Sequence, residues 1–250
     1  MRITTLGTSH GDPTATSFQS SILLETGGGF YLFDAGEPVS ALLIRRGLHP
    51  AMLSAIFLTH MHLDHSGGLP VAIMQAWKYR RNHPEVRLDV FLPEEEAVSA
   101  LTAWLNANKR PALENGTRLL IVHSGPVCDD GRIRVTAIPT RHLGNTPGAS
   151  FSYLVEAESK KIFFSGDLAP DYSDFAAERA DGCDLVFSEL THYPLEKALP
   201  VLSRLRIGQL VFTHLHNPYQ TEEGRARVLR ATEKFSYPVA IAGDGFTIEL

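Results

Sequence analysis

A single α/β domain built from two similar halves is what this sequence predicts, on three observations. Short β-type runs alternate with helical patterns along the whole chain. No Pro/Gly/Ser-rich stretch or charge block is long enough to act as a linker. The segment IFLTHMHLDH at 56–65 is echoed by LVFTHLHNPY at 210–219, each running from an apolar strand into T-H-x-H and on towards a helix. At 250 residues, 44% of them hydrophobic and 20% charged, the chain can bury a substantial core as one unit over 1–250. Duplicated halves packed face to face would place both T-H-x-H loops along one edge, at strand ends of the kind where α/β sheets bind ligands.

Taken in order, apolar and β-branched runs predict strands at 3–6, 21–26, 30–34, 55–58, 88–92, 118–122, 133–138, 150–156, 161–165, 185–188, 210–212 and 246–250. Gly27, Gly28 and Gly29 between the second and third runs mark a hairpin. Helical spacing of Ala97, Val98, Leu101, Trp104 and Leu105 after Pro93 predicts a helix with that face in the core. Val228, Leu229, Thr232 and Phe235, after the N-cap candidate Thr221, predict another. Further helices are expected at 39–46, stopped by Gly47, and at 69–81, 174–180 and 195–206.

Composition removes several function classes. A net charge of -5 gives no global basic field, so long nucleic acid is not an expected partner. Cys128 and Cys183 are far apart without a C-x-x-C neighbour, which points away from a disulfide framework or thiolate zinc site and towards small core residues. The opening MRITTLGTSHGDP lacks a signal-peptide pattern, and no apolar run reaches a membrane span, so a cytoplasmic location without membrane partners is expected.

The strongest chemical signal is His60-Met61-His62-Leu63-Asp64-His65, four potential ligands within six residues directly after an apolar strand. Alternation sets His60 and His62 on one side while Asp64 and His65 turn back in the loop, so one segment can address two adjacent metals. His142 in IPTRHLG, Asp167 in FFSGDL and His214 in VFTHLH each sit in a loop after a strand. Alone, each is more often a turn or capping residue. Together with the cluster they supply five imidazoles and two carboxylates, a sufficient shell for two divalent ions. Zinc is the first expectation for such donors, and the absence of cysteine ligands leaves manganese and iron open.

These motifs, with an upstream Asp in YLFDAG and the closing AGDGFTIEL, resemble the metallo-β-lactamase superfamily along essentially the whole chain. The resemblance implies a four-layer αββα sandwich. It implies that His60, His62 and His142 hold one metal, that Asp64, His65 and His214 hold the second, and that Asp167 bridges them. It matches Asp34 to a buried aspartate that orients a ligand histidine. The start, LGTSHGDPTATSFQSSILLETGGGFYLFDAGEP, is similar to the ribonuclease Z and phosphodiesterase branch, as is Ser188-Glu189-Leu190-Thr191-His192, whose histidine in that branch protonates the leaving group. His192 is therefore the candidate general acid, with a purely structural role as its alternative.

Two departures narrow the branch. Ribonuclease Z inserts a long tRNA-gripping arm between the positions matched by His142 and Asp167, where this chain has about 24 residues. After His214 the chain continues His216-Asn217-Pro218-Tyr219, without that branch's serine and arginine. His216 is a candidate for contacts just outside the ligand set. His10 is assigned a loop role, Lys78, Tyr79, Arg80 and Arg81 a solvated helix end, and His49, His83 and His123 no context that separates them from surface residues.

The function expected is a two-metal hydrolase acting on a small phosphodiester, for example a cyclic or modified nucleotide. Paired cations lower the pKa of a water between them enough to supply hydroxide near neutral pH, with Asp64 and Asp167 fixing its orientation. The alternatives are a lactonase or thioesterase using the same chemistry on a carbonyl, then a tRNA 3′ endoribonuclease, then a non-catalytic metal-binding protein. A small-molecule substrate is the expected partner, with a homodimer left open.

Overall fold

The computed structural model describes residues 1–109, 113, 116–144, 146 and 148–250. Its strands fall into two seven-stranded sheets. The first contains β1 (Arg2–Gly7), β2 (Ser21–Thr26), β3 (Gly29–Phe33), β4 (Ala55–Phe57), β5 (Leu88–Leu92), β6 (Thr117–Ile121) and, beyond β1 at the other edge, β14 (Thr247–Glu249). The second runs β13 (Val239–Ile241), β12 (Gln209–Leu215), β11 (Leu185–Leu190), β10 (Lys160–Phe164), β9 (Phe151–Ala157), β8 (Arg134–Pro139) and β7 (Gly125–Asp129). In each sheet four adjacent strands pair in parallel: β3, β4, β5 and β6 in one and β10, β11, β12 and β13 in the other.

Period-two alternation explains the layers. Leu23, Leu32, Ile56 and Leu58 point outward into a core shared with α1 (Val39–Arg45), α3 (Leu69–Arg80) and α4 (Glu95–Ala107), while Ile22, Leu24, Tyr31, Phe33 and Phe57 point inward. In the second sheet Ile162, Phe164, Leu185, Phe187 and Val211 face inward. Phe163, Val186, Leu210 and Phe212 face the outer core under α5 (Ala177–Ala180), α6 (Leu195–Leu202) and α8 (Glu222–Thr232). The result is the αββα sandwich. An aromatic stack crosses the seam, with ring centroids 4.5 Å apart for Phe57–Phe91, 5.1 Å for Phe33–Phe57, 4.4 Å for Phe33–Phe164 and 5.3 Å for Phe164–Phe187.

Several local expectations are met for their stated reasons. Gly27 and Gly28, both at positive φ, form the two-residue turn between the paired Thr26 and Gly29. Gly47 follows α1 at φ 77°, and Thr221 caps α8 by accepting a hydrogen bond from Gly224 N at 3.0 Å.

Others are corrected. β7 and β13 were not expected; β7 carries a proline and a register shift against β8, and β13 is only three residues long. Short helices α2 (Leu63–Ser66) and α7 (Asn217–Gln220) follow the two T-H-x-H motifs. The helix expected at 174–180 begins only at Ala177, because the Asp174 carboxylate is occupied by the amides of Arg141 and Ala169. α6 ends at Leu202 and the chain then tightens into turns that bury Leu205. Trp104 and Leu229, expected in the core, are 63% and 45% exposed, since each lies at the edge of its helix's buried stripe. Cys183 is buried as expected, whereas Cys128 is only partly buried.

Candidate metal centre

All seven expected ligands come from strand ends at one edge of the sandwich. His60 follows β4 and Thr59, and the short helix α2 turns Asp64 and His65 back towards it. Asp167 follows β10 across Gly166, whose φ is 56°; a Cβ there would lie 2.4 Å from the Phe151 carbonyl oxygen, so glycine is required. His142 sits between β8 and β9 in a loop closed by Thr140 N donating to Ser150 O at 2.9 Å. His214 is a bulge residue: Glu189 pairs with Thr213 and Leu190 with Leu215, leaving His214 out of the ladder at φ 49° with its side chain re-aimed into the site.

One atom lies at the centre. Asp167 Oδ2 is 3.3 Å from His65 Nε2, 3.4 Å from His214 Nε2, 3.5 Å from His60 Nε2 and 3.7 Å from His142 Nε2. On one side His60, His62, His142 and Asp167 present donor atoms that all lie within 4.8 Å of one another, and Asp64, His65 and His214 form a second such group. Asp64 Oδ2 is 3.6 Å from His65 Nε2 and 3.8 Å from His214 Nε2. His62 Nδ1 and His142 Nε2 are 3.2 Å apart at the open side, where His62 is exposed.

The electrostatics match a site made for cations. Burial pulls the His60 and His142 imidazoles below their usual range, which keeps them neutral and able to act as ligands. Burial also acts against a charged His65, but Asp167 and Asp34 outweigh it and hold that imidazole well above its usual range. Burial opposes ionisation of Asp167 too, yet the surrounding His214, His65 and His60 hold its carboxyl well below the usual range. Among the described residues, His60 Nε2, His65 Nε2, His214 Nδ1 and Asp167 Oδ1 are buried without a hydrogen-bond partner. His60 Nε2 and His65 Nε2 both face Asp167 Oδ2, and orphaned polar atoms buried there are costly in a dry site unless a ligand occupies it. Two adjacent groups of imidazole and carboxylate donors therefore fit a pair of divalent ions.

Beneath the ligands, Asp34 accepts from His65 Nδ1 at 2.7 Å and from Thr59 N at 2.8 Å, in a left-handed conformation at φ 60°. The Thr59 hydroxyl spans Asp34, at 3.0 Å, and His60 Nδ1, at 3.1 Å. The sequence gives Thr59 away only as the first letter of T-H-x-H. Glu189 is a second residue that sequence reading left unassigned. Almost fully buried, it accepts from the amides of Leu168 at 2.7 Å, Thr191 at 3.0 Å and His192 at 3.1 Å, and from His192 Nδ1 at 2.9 Å. Burial lowers the His192 pKa, but the hydrogen bond and charge of Glu189 outweigh it and hold it up at about 9. His192 Nδ1 also lies 3.7 Å from Asp167 Oδ2, so His192 forms a third potential group with Asp167 and His214.

His216 is exposed, and its ring packs against His10 at 5.3 Å rather than against a ligand. His10 is buried and bonded through Nε2 to Asn217 Oδ1 at 3.0 Å. His49 caps a 3-10 turn by accepting from Ala51 N. The basic helix end is not near the site. α3 starts beside the ligand motif and runs twelve residues away, roughly 17 Å at 1.5 Å per residue, and Arg80 there is buried rather than solvated.

Together, the fold and this cluster define a metallo-β-lactamase-fold chain with a candidate metal centre. Among solved structures the chain resembles the metallo-β-lactamase fold protein YhfI from Bacillus subtilis, with a TM-score of 0.79 and 21% identity over 100% of this chain and 99% of that one. It also resembles human tRNase Z, short form, with a TM-score of 0.75 and 22% identity over 100% and 99%. Within this class the chain belongs to the Anti-Pycsar protein Apyc1 family, whose pattern matches residues 1–218. Curated relatives include ribonuclease Z of Methanothermobacter thermautotrophicus, 25% identical over 100% of this chain and 97% of its own length. Ribonuclease BN of Escherichia coli is 24% identical over 99% of each. The first of these alignments spans 308 positions, so at least 58 of them have no counterpart in these 250 residues. No described helix is long and apolar enough to cross a membrane.

Proposed function

We propose that this chain is a phosphodiesterase acting on a small phosphodiester such as a cyclic or modified nucleotide, with His60, His62, His142 and Asp167 around one divalent ion and Asp64, His65, His214 and Asp167 around a second. The observation that carries this reading is the single Asp167 oxygen within 3.7 Å of five imidazole nitrogens, one of them on a histidine held by a buried glutamate. Two divalent ions, zinc foremost, would supply an activated water and neutralise charge building on the phosphoryl oxygens. Asp64 and Asp167 orient the attacking water. Glu189 accepts the Nδ1 proton of His192, which leaves Nε2 to deliver a proton to the departing oxygen as the P–O bond breaks. Leu63, 76% exposed between His62 and Asp64, offers an apolar lip to a nucleoside.

The curated ribonuclease relatives favour a second reading, RNA cleavage. Against it stand the negative net charge and the at least 58 positions this chain lacks. The deciding experiment is a panel with zinc or manganese present: bis(p-nitrophenyl) phosphate, a cyclic nucleoside monophosphate, a structured RNA, a lactone and a thioester. Turnover of the first two is expected. Turnover confined to the lactone or thioester would replace this reading with carbonyl hydrolysis, and no turnover with both ions bound would leave a non-catalytic metal-binding protein.

A further inference from the structure

At the end of α3 far from the ligand cluster, Trp77, Arg80, Arg81, Pro84, Arg87 and Gly116 line a cavity of about 460 Å³. Arg80 is only 3% exposed, and its Nη1 donates to Thr117 Oγ1 at 2.7 Å. Its Nε and Nη2 are buried with no hydrogen-bond partner among the described residues. Burying an ionised guanidinium with two orphaned donors is costly, and a group of this kind normally has a carboxylate against it. Among the described residues none pairs with Arg80; the charge that bears on it is that of Arg87, a like charge that together with burial lowers its pKa. The Arg87 guanidinium is turned to the carbonyls of Pro84 and Val86, at 2.5 Å and 3.1 Å, and Arg81 lies over the Trp77 ring at 5.8 Å. Three cations thus surround one space without a described counter-anion, and planar guanidinium forks match phosphate oxygens two at a time.

We infer that this cavity is a second, non-catalytic site that binds the phosphate group of a small anion through Arg80, Arg81 and Arg87. The volume lies within the range of small-ligand pockets, so either inorganic phosphate or a phosphate monoester has room. The site is independent of what the metal centre hydrolyses, since it shares no residue with it.

Calorimetric titration of the metal-loaded protein with inorganic phosphate and with a 5′-nucleoside monophosphate tests this, in parallel with Arg80→Met and Arg87→Gln. The expected result is a binding class that each substitution weakens at least tenfold, while hydrolysis of bis(p-nitrophenyl) phosphate is unchanged. Tighter wild-type binding of the nucleotide than of phosphate, lost in both variants, would assign the site to a phosphate monoester; equal affinities would assign it to free phosphate. Thermal unfolding in phosphate-free buffer adds a second reading. Arg80→Met should melt higher than wild type, because an unpaired buried charge is gone, and phosphate should reverse that order. If Arg80→Met does not fold, Arg87→Gln, at an exposed position, carries the binding test alone. Phosphate and nucleotide affinities within twofold of wild type in the folded variants would overturn the inference.

Discussion

Asp34→Asn should separate the two metal positions. The change keeps shape and charge-neutral hydrogen bonding where it can: asparagine tolerates the φ of 60°, and its carbonyl oxygen can still accept from Thr59 N. What it loses is the acceptor facing His65 Nδ1 at 2.7 Å. An amide NH₂ in that place requires His65 Nδ1 to accept, which moves the ring proton to Nε2. That nitrogen is the one aimed at Asp167 Oδ2, 3.3 Å away, and it must be bare to bind a cation. Loss of such a supporting contact costs about 10–100-fold in metal affinity, or roughly 1.4–2.8 kcal/mol. The loss should fall on the Asp64, His65 and His214 position and spare the His60, His62 and His142 position. Metal content by mass spectrometry, with competition against a chromophoric chelator, should show two ions in the wild type and one tightly held ion in the variant. Two ions bound within twofold of wild-type affinity would refute the tautomer argument, and equal weakening of both positions would refute the division of ligands.

Glu189→Gln should lower kcat on a phosphodiester about 10–100-fold with KM little changed and two ions still bound, because the glutamate acts through His192; steady-state kinetics with metal analysis checks this. Phe164→Ala, in the stack between the sheets, should cost about 3–5 kcal/mol in denaturant unfolding. Asp184 is held below the usual carboxylate range: burial works against ionisation, but the hydrogen bonds from Lys160 at 2.8 Å and Lys161 N at 2.9 Å prevail. Its contribution is therefore fully present above the unfolded value near 3.8 and lost as pH falls through the lower folded value. Asp184→Asn should accordingly flatten the acid limb of stability below about pH 4, measured by thermal unfolding across pH, and leave stability at pH 7 to 8 without a new pH dependence.

The clustering of the candidate ligands at 60–65 was legible because six consecutive residues carry them and strand alternation dictates their geometry. His142, Asp167 and His214 were weaker signals individually, and only their shared place after strands tied them to it. Thr59 and Glu189 were not readable as site residues: a threonine after a strand and a glutamate inside one are ordinary, and their roles arise from contacts such as Leu168 N to Glu189, 21 positions apart. Helical spacing identified the buried stripes of α4 and α8 but not their width, which depends on how far each helix overhangs its sheet. That is why Ala97 and Val228 lie inside while Trp104 and Leu229 reach solvent. Arg80 was expected in water because cations at a helix end generally are; its burial, with Nη1 bonded to Thr117 37 positions away, is a tertiary contact that helix-end chemistry does not foretell.

The division of donors between the sheets gives the aromatic seam a further meaning. His60, His62, Asp64 and His65 ride on one sheet and His142, Asp167 and His214 on the other, while Phe33 and Phe164 touch directly below them. The distance between the two donor sets is thus a gauge of how the layers slide past each other. On the proposed two-ion reading, a substitution deep in the sandwich that shifts one sheet by a fraction of an ångström would change the bite offered to a cation from positions that never touch it.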